Sequence, residues 1–483
     1  METTIPSATI RPRRFTRAFG GWFWMGLLLT ALAFGSGCAV VQAPREHVVL
    51  VNRSGKPVFP DGDRARKAEK SGEFASHLAS ITNAIANCTN CVGVKKILIF
   101  VHGGLNTYNQ SLERVNERLL PEISRAGYYP LFINWNSGLI SSYREHLLIT
   151  RQGRVEHVWG PITSPFYLVA DLGRAVTRAP VVWYHQLTSD ATTAVRYETR
   201  GRVSQKSAGS QADQLQISIG EDHRRNLDRL SYGTSYFVTL PLKLAVAPFI
   251  DALGKSAWDN MSRRTQTMFW GPKVFRTPER YEEIDKAIAR VDQPEPGPIA
   301  QLAQCLDELI KSEERAGHRY EITLVGHSMG TIVANEIIRI HPDLPFSHIV
   351  YMGAACSVSD FEKTVVPYLR NATNAQFYNL TLHPVAEARE AQWSLLDIPP
   401  RGSLLEWIDN FLASPRTVPE RTLGKWENVV STSMLIPKGI ASRVHIKAFD
   451  VGIREEPPEG NPEKHGDFSE KMFWDERFWS ARQ

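Results

Sequence analysis

The chain has 483 residues, of which 42% are hydrophobic, 10% aromatic and 22% charged. That is enough for one large domain with insertions, and it excludes a mostly disordered, collagen-like or polytopic membrane chain. The formal net charge is +5, and Arg11, Arg13, Arg14 and Arg17 supply much of it, so the remainder carries no basic surplus of the kind a nucleic-acid partner needs.

Residues 11–17 are basic, residues 18–44 carry no charge, and 22–34 are the densest apolar part. The small residues Gly35, Ser36 and Gly37 then lead into Cys38. A basic segment, a short apolar core and a small-residue exit predict an export signal. The cysteine after the small residues resembles a bacterial lipoprotein signal, with Cys38 lipidated and 1–37 removed. Gly35 departs from that pattern by standing where leucine is usual. An uncleaved signal anchor and a plain cleaved signal are the alternatives, and all three send the rest of the chain across a membrane.

Residues 39–72 read as a tether and polar lead-in, with turn signals at 53–57 and 60–62. Residues 73–86 have helical spacing. Cys88 and Cys91 form a C-x-x-C pair with a structural role, whereas a zinc site would need a second pair, and Cys305 and Cys356 stand apart. Residues 96–101 are a continuous apolar run ending in His102-Gly103-Gly104, as in a strand buried on both faces of a parallel sheet. A helix at 110–126 and an apolar strand at 129–135 continue a βαβ rhythm.

The rhythm stops near Gly138. Two long apolar, aromatic stretches, 166–184 and 236–253, flank a polar one at 196–225. They predict core-packing or lid helices, with interfacial lipid contact as the second reading. Beyond 292–298 the rhythm resumes, with helices at 299–316, 331–340, 361–370 and 403–412 and strands at 320–325, 347–353, 375–382 and 443–449. The division is therefore 1–38 signal or anchor, 39–72 tether, 73–137 first part of an α/β core, 138–291 insertion and candidate lid, and 292–483 second part of the core.

Gly326-His327-Ser328-Met329-Gly330 fits G-x-S-x-G, with an apolar strand running into Gly326 and a helix leaving from Thr331. That strand–turn–helix context is what a nucleophile elbow requires, and it makes Ser328 the candidate nucleophile. An acyl-transfer oxyanion needs two preorganised N–H donors. The candidates are Met329 and, from the His102-Gly-Gly loop, Gly104, with Leu105 its neighbour. His102 and His327 are expected to hold structure. The base must follow Ser328 in the chain. Of His341, His348, His383, His445 and His465, the last sits in a polar turn after the final strand and is the candidate base. The acid should follow the strand ending near Leu382. Glu387 is the first choice and Asp397 the alternative, with Glu390 and Asp409 behind them.

Together these residues resemble the α/β-hydrolase superfamily, over about 95–138 and 299–467. The resemblance implies a mostly parallel sheet flanked by helices and a lipase- or esterase-like Ser-His-acid triad. The segments LHPVAEARE and KHGDF are similar to stretches of hydrolases of this superfamily, which supports Glu387 and His465. The departure is an insertion larger than a usual cap. The expected function is a membrane-tethered serine hydrolase of small-molecule or lipid esters, with no cofactor and no metal. An acyltransferase or thioesterase on the same triad, or a non-catalytic envelope scaffold, are the alternatives.

Overall fold

A computed structural model describes residues 44–480 apart from 62–63, 68–70, 89–92, 105–107, 152–153, 156–158, 194–214, 225, 272, 276–277, 281–282, 391–399 and 453–459. Cys38, Cys91, Leu105 and Asp397 lie outside the described residues.

In chain order the elements are β1 (Val48–Val51), β2 (Pro57–Asp61), β3 (Arg64–Lys67), α1 (Ser71–Ala86), β4 (Lys95–Val101), α2 (Tyr108–Arg114), α3 (Leu120–Arg125), β5 (Tyr129–Trp135) and α4 (Leu139–Leu148). Then come the ribbon β6 (Thr150–Arg151) and β7 (Arg154–Val155), α5 (Trp159–Thr193), β8 (Gln216–Ile219), α6 (Asn226–Thr267), α7 (Ile284–Ala289) and α8 (Pro298–Arg315). The remainder is β9 (Tyr320–His327), α9 (Gly330–Ile340), β10 (Phe346–Met352), α10 (Val358–Asn371), β11 (Gln376–Thr381), α11 (Pro384–Arg389), α12 (Leu404–Trp407), α13 (Trp426–Ser431), β12 (Val444–Ala448) and α14 (Glu476–Trp479).

Ten strands form one sheet in the order β3-β2-β1-β5-β4-β9-β10-β11-β12-β8. From β1 to β8 across the sheet every pairing is parallel, and only β2 runs against its neighbours. The apolar runs explain why the central strands lie inside. In β4, Ile97, Ile99 and Val101 face one core, shared with Phe74, Ile81, Leu302, Val333 and Val365 of the helices on that side. Leu98 and Phe100 face the other, with Leu112, Ile123, Phe468 and Trp474. Alternate side chains of one strand thus bury against two helical layers.

Two features correct the sequence expectation. The supposed tether contributes β1, β2 and β3, because Val48-Val-Leu-Val51 is itself a fully buried run set beside β5. The segment 138–291 is not separate from the sheet either. It supplies β8, which pairs in parallel with β12 at the edge, Ile217 opposite Ile446.

Candidate active site

β9 delivers the chain to Ser328, whose φ is +52°, and α9 begins two residues later. A left-handed conformation at a residue other than glycine costs of order 1–3 kcal/mol and persists only where the surroundings enforce it. Here they do. The Ser328 N–H donates to the Met352 carbonyl at 2.9 Å, and the Ser328 carbonyl accepts from the N–H groups of Thr331 (3.1 Å) and Ala355 (3.2 Å) and from Thr331 Oγ1 (2.7 Å). The last residue of β10 and the loop beyond it therefore clamp the elbow.

The glycines around it answer to close approach. A Cβ on Gly330 would collide with the Val101 carbonyl at the end of β4. A Cβ on Gly103 would stand 2.7 Å from Ser328 Cβ, so the His102-Gly-Gly loop lies directly against the serine. A Cβ on Gly104 would stand 3.0 Å from both Met329 Sδ and Met261 Cε. Met329 is the N-cap of α9, where a backbone N–H has no intrahelical acceptor and the helix dipole favours negative charge.

His102 pins that loop, as expected. Its Nδ1–H donates to the Gly103 carbonyl at 2.6 Å, and its Nε2 accepts the Trp135 N–H at 3.0 Å. Burial lowers it to about 4, so the imidazole is neutral.

His465 follows β12 and lies in a short 3₁₀ turn, His465–Glu470. Its ring packs on Gly353, where a Cβ would stand 2.9 Å from both Cε1 and Nδ1. Gly353 directly follows Met352, the residue that accepts the Ser328 N–H, so both residues abut the end of β10. Burial first, then the neighbouring His327, hold His465 well below the ordinary histidine value.

His465 is fixed through its main chain. Glu390 Oε2 accepts its N–H at 2.9 Å, and His327 Nε2–H donates to its carbonyl at 3.0 Å. Arg114 and Arg118 reach the same turn, through Ser469 Oγ (2.9 Å) and through Glu470 (3.2 Å). Sequence reasoning kept His327 as packing and Glu390 as a spare carboxylate; neither residue's type announces a bond to a residue so far along the chain. His327, like His102, is lowered to about 4 by burial.

Ser328 and His465 both abut the end of β10 and share no hydrogen bond. Ser328 Oγ, His465 Nδ1 and His465 Nε2 are buried and have no hydrogen-bond partner. Such bonds are commonly long in unliganded enzymes and tighten around the substrate. Glu387 stands on α11, at the same sheet edge, and is 3% exposed. One of its oxygens accepts from the Ser403 hydroxyl, the other has no partner, and burial raises its carboxyl to about 8. It makes no hydrogen bond to His465. His383 instead caps α11, its Nδ1 accepting the Val385 N–H at 3.2 Å. Asp409 is taken up by Thr422 and Asn428.

The expected apolar cover is arranged differently. Of the insertion, it is Met261, in the buried half of α6, that reaches Gly104. The stretches 166–184 and 236–253 turn Phe166, Val176, Phe237 and Val238 outward, because Asp171, Lys243 and Asp251 occupy their inner side. A cavity of about 340 Å³ borders the elbow at Ile332 and Ala355, but Trp258, Asn335, Glu336 and Asp360 give it a mixed lining, and Ser328 is not part of it. Among the described residues no group of three His, Cys, Asp or Glu side chains converges to hold a metal ion. No protein-family model, curated protein or solved structure matches this chain.

Proposed function

We propose that the chain is a serine hydrolase of carboxylic esters on an α/β-hydrolase fold, exported and tethered to a membrane by its N-terminal segment. The observation that carries this reading is the left-handed Ser328 between a buried parallel strand and a helix N-terminus, with Gly103 against its Cβ. Strain of this kind at a serine has a use if Oγ must stand clear of the sheet to attack.

In this mechanism the neutral His465 takes the proton of Ser328 as Oγ attacks the ester carbonyl. The N–H groups of Met329 and Gly104 hold the oxyanion. His465 then protonates the leaving alcohol, and water activated by the same imidazole releases the acid. Glu387, with Asp397 as the alternative, is the acid assigned to steady the imidazolium, and it does so once it gives up the proton that burial holds on it up to about 8. Ser328 Oγ, both ring nitrogens of His465 and one Glu387 oxygen are buried without a partner, which leaves them open to bond a substrate or one another. The basic, apolar and small-residue order before Cys38 supports export, with the membrane reached through that anchor and an ester, small or lipidic, as the substrate.

The test is labelling with a fluorophosphonate, followed by turnover of an ester series of rising chain length with the products identified. Labelling confined to Ser328 with release of free acid supports the reading. An unlabelled chain favours a scaffold, and acyl product on an added acceptor favours a transferase.

A further inference from the structure

The helices α5 and α6 carry a polarity opposite to that of surface helices in a water-soluble domain. Across residues 159–189 and 233–254 the ionisable groups are Asp171, Arg174, Arg178, His185, Lys243 and Asp251. Asp251 and Lys243 are fully buried, and Arg174 and Arg178 both reach Asp251, at 3.3 and 3.1 Å. Asp171 accepts from Tyr143 at 2.9 Å and Ser256 at 3.3 Å and lies 3.4 Å from His146. The outward side holds Phe166, Val169, Val176, Tyr184, Phe237 and Val238, each more than half exposed. Trp183 Nε1–H donates to the Leu244 carbonyl at 2.7 Å, so the two helices lie side by side and their apolar sides form one face.

Five serine and threonine hydroxyls along these helices turn back on their own backbone. Thr163 donates to Trp159 O, Ser164 to Pro161 O, Thr177 to Arg174 O, Thr188 to Tyr184 O and Thr239 to Ser235 O. A protein partner would meet a polar rim and form about one hydrogen bond per 100–200 Å². A face whose hydroxyls are satisfied within the helix and whose charges point inward suits a medium without donors or acceptors.

The face lies along the domain and does not project from it. A Cβ at Gly160 would collide with Leu148, Ser189 Oγ donates to Glu406, Arg401 donates to Ser235 Oγ at 2.8 Å and stacks over Tyr236, and Trp258, Met261 and Met268 are in the core. Both helices are thereby tied to the body along their described lengths. Gly233–Thr267 is long and apolar enough to cross a membrane, but its second half is part of the core and is not free to do so.

We propose that the joint outer face of α5 and α6 seats the domain on a lipid bilayer, in the plane of the membrane, with its aromatic and aliphatic side chains among the upper acyl chains. Interfacial helices of this kind sink about 5–10 Å below the headgroups. The seat is independent of the N-terminal anchor and of the catalytic reading.

The experiment uses the full chain reconstituted into phosphatidylcholine vesicles doped with doxyl-labelled lipid. Bimane is attached at Val176→Cys or Val238→Cys, with Ser312→Cys on the exposed side of α8 as the control and the chain without an introduced cysteine as background. Every variant meets the same vesicles, so only immersion of the face distinguishes the positions. Doxyl quenching several-fold stronger at 176 and 238 than at 312 is the expected result. Quenching no stronger than at 312 overturns the proposal, and cross-linking of the face to a second copy without lipid quenching overturns it too.

Discussion

Glu390 Oε2 accepts the main-chain N–H of His465 at 2.9 Å, so a carboxylate on the loop after β11 sets where the candidate base stands. In the proposed mechanism it touches no reacting atom and serves as a positioning residue. Glu390→Ala is expected to lower kcat/KM by about 10- to 100-fold, the range of one hydrogen bond of about 1.5–3 kcal/mol to a charged acceptor. Glu390→Gln keeps an acceptor oxygen and is expected to recover most of it. Equal losses in both variants would show that the bond does not position His465.

Ser328→Ala is expected to reduce ester turnover by about 10⁴-fold or more while the fold persists. Ser328→Gly should be equally inactive yet no less stable, because glycine adopts φ +52° without the roughly 1–3 kcal/mol of strain a serine bears there. Thermal melts of the two variants beside the wild type measure this. A Gly variant markedly less stable than the Ala variant would contradict the strain argument.

His465→Ala is expected to abolish labelling of Ser328 by a fluorophosphonate, since no base remains to take the proton. His383→Ala should label normally and cost about 1 kcal/mol of stability, the value of a lost helix cap. Labelling that tracks His383 instead would reassign the base.

Gly103→Ala places a methyl group 2.7 Å from Ser328 Cβ. Overpacking of this kind costs about 1–3 kcal/mol, and the clash falls on the candidate nucleophile itself. Turnover should collapse with only a modest fall in melting temperature. Unchanged kcat/KM would mean that the loop does not line the reacting centre.

Stability should be greatest on the mildly acidic side of neutrality. Burial raises Glu387 to about 8 and Glu390 to about 7, so the folded chain holds protons that the unfolded chain has released, and stability is lost as pH rises through those values. Burial lowers His102, His327 and His383 to about 4, so there the unfolded chain gains protons first, and stability is lost as pH falls below about 6.5. Denaturant midpoints across this range test both limbs. Glu387→Gln should flatten the alkaline limb and, because Glu387 opposes the histidines between about 4.5 and 6.5, make the acid limb steeper.

The centre of the sheet was legible in the sequence because strands buried on both faces carry unbroken apolar runs, as at 97–101 and 349–352. The elbow was legible because its glycines stand where backbones nearly touch. The edges were not. Val48–Val51 and Gln216–Ile219 are four residues each, too short for a period to emerge from the polar turns around them. Nor did the apolar segments reveal their direction. Phe166 and Phe237 read as residues awaiting a core, whereas Asp171, Lys243 and Asp251 took the inner side. The main-chain bonds from Glu390 and His327 to His465 depend on how β9, β11 and β12 line up, which no local pattern encodes.

The pairing of β8 with β12 imposes an order on how the protein is made. β8 sits at the rim of the sheet, and in the finished sheet its one neighbouring strand is β12, so it waits through the synthesis of β9, β10 and β11 before that neighbour exists. Throughout that wait the long helices on either side of β8 are tethered by a strand with open hydrogen-bonding edges, the state in which nascent chains misassociate or recruit chaperones. The segment that carries His465 emerges just after β12. A chain that ends before Val444 therefore lacks both its finished rim and its candidate base, so one missing stretch leaves truncated products unclosed and without that histidine.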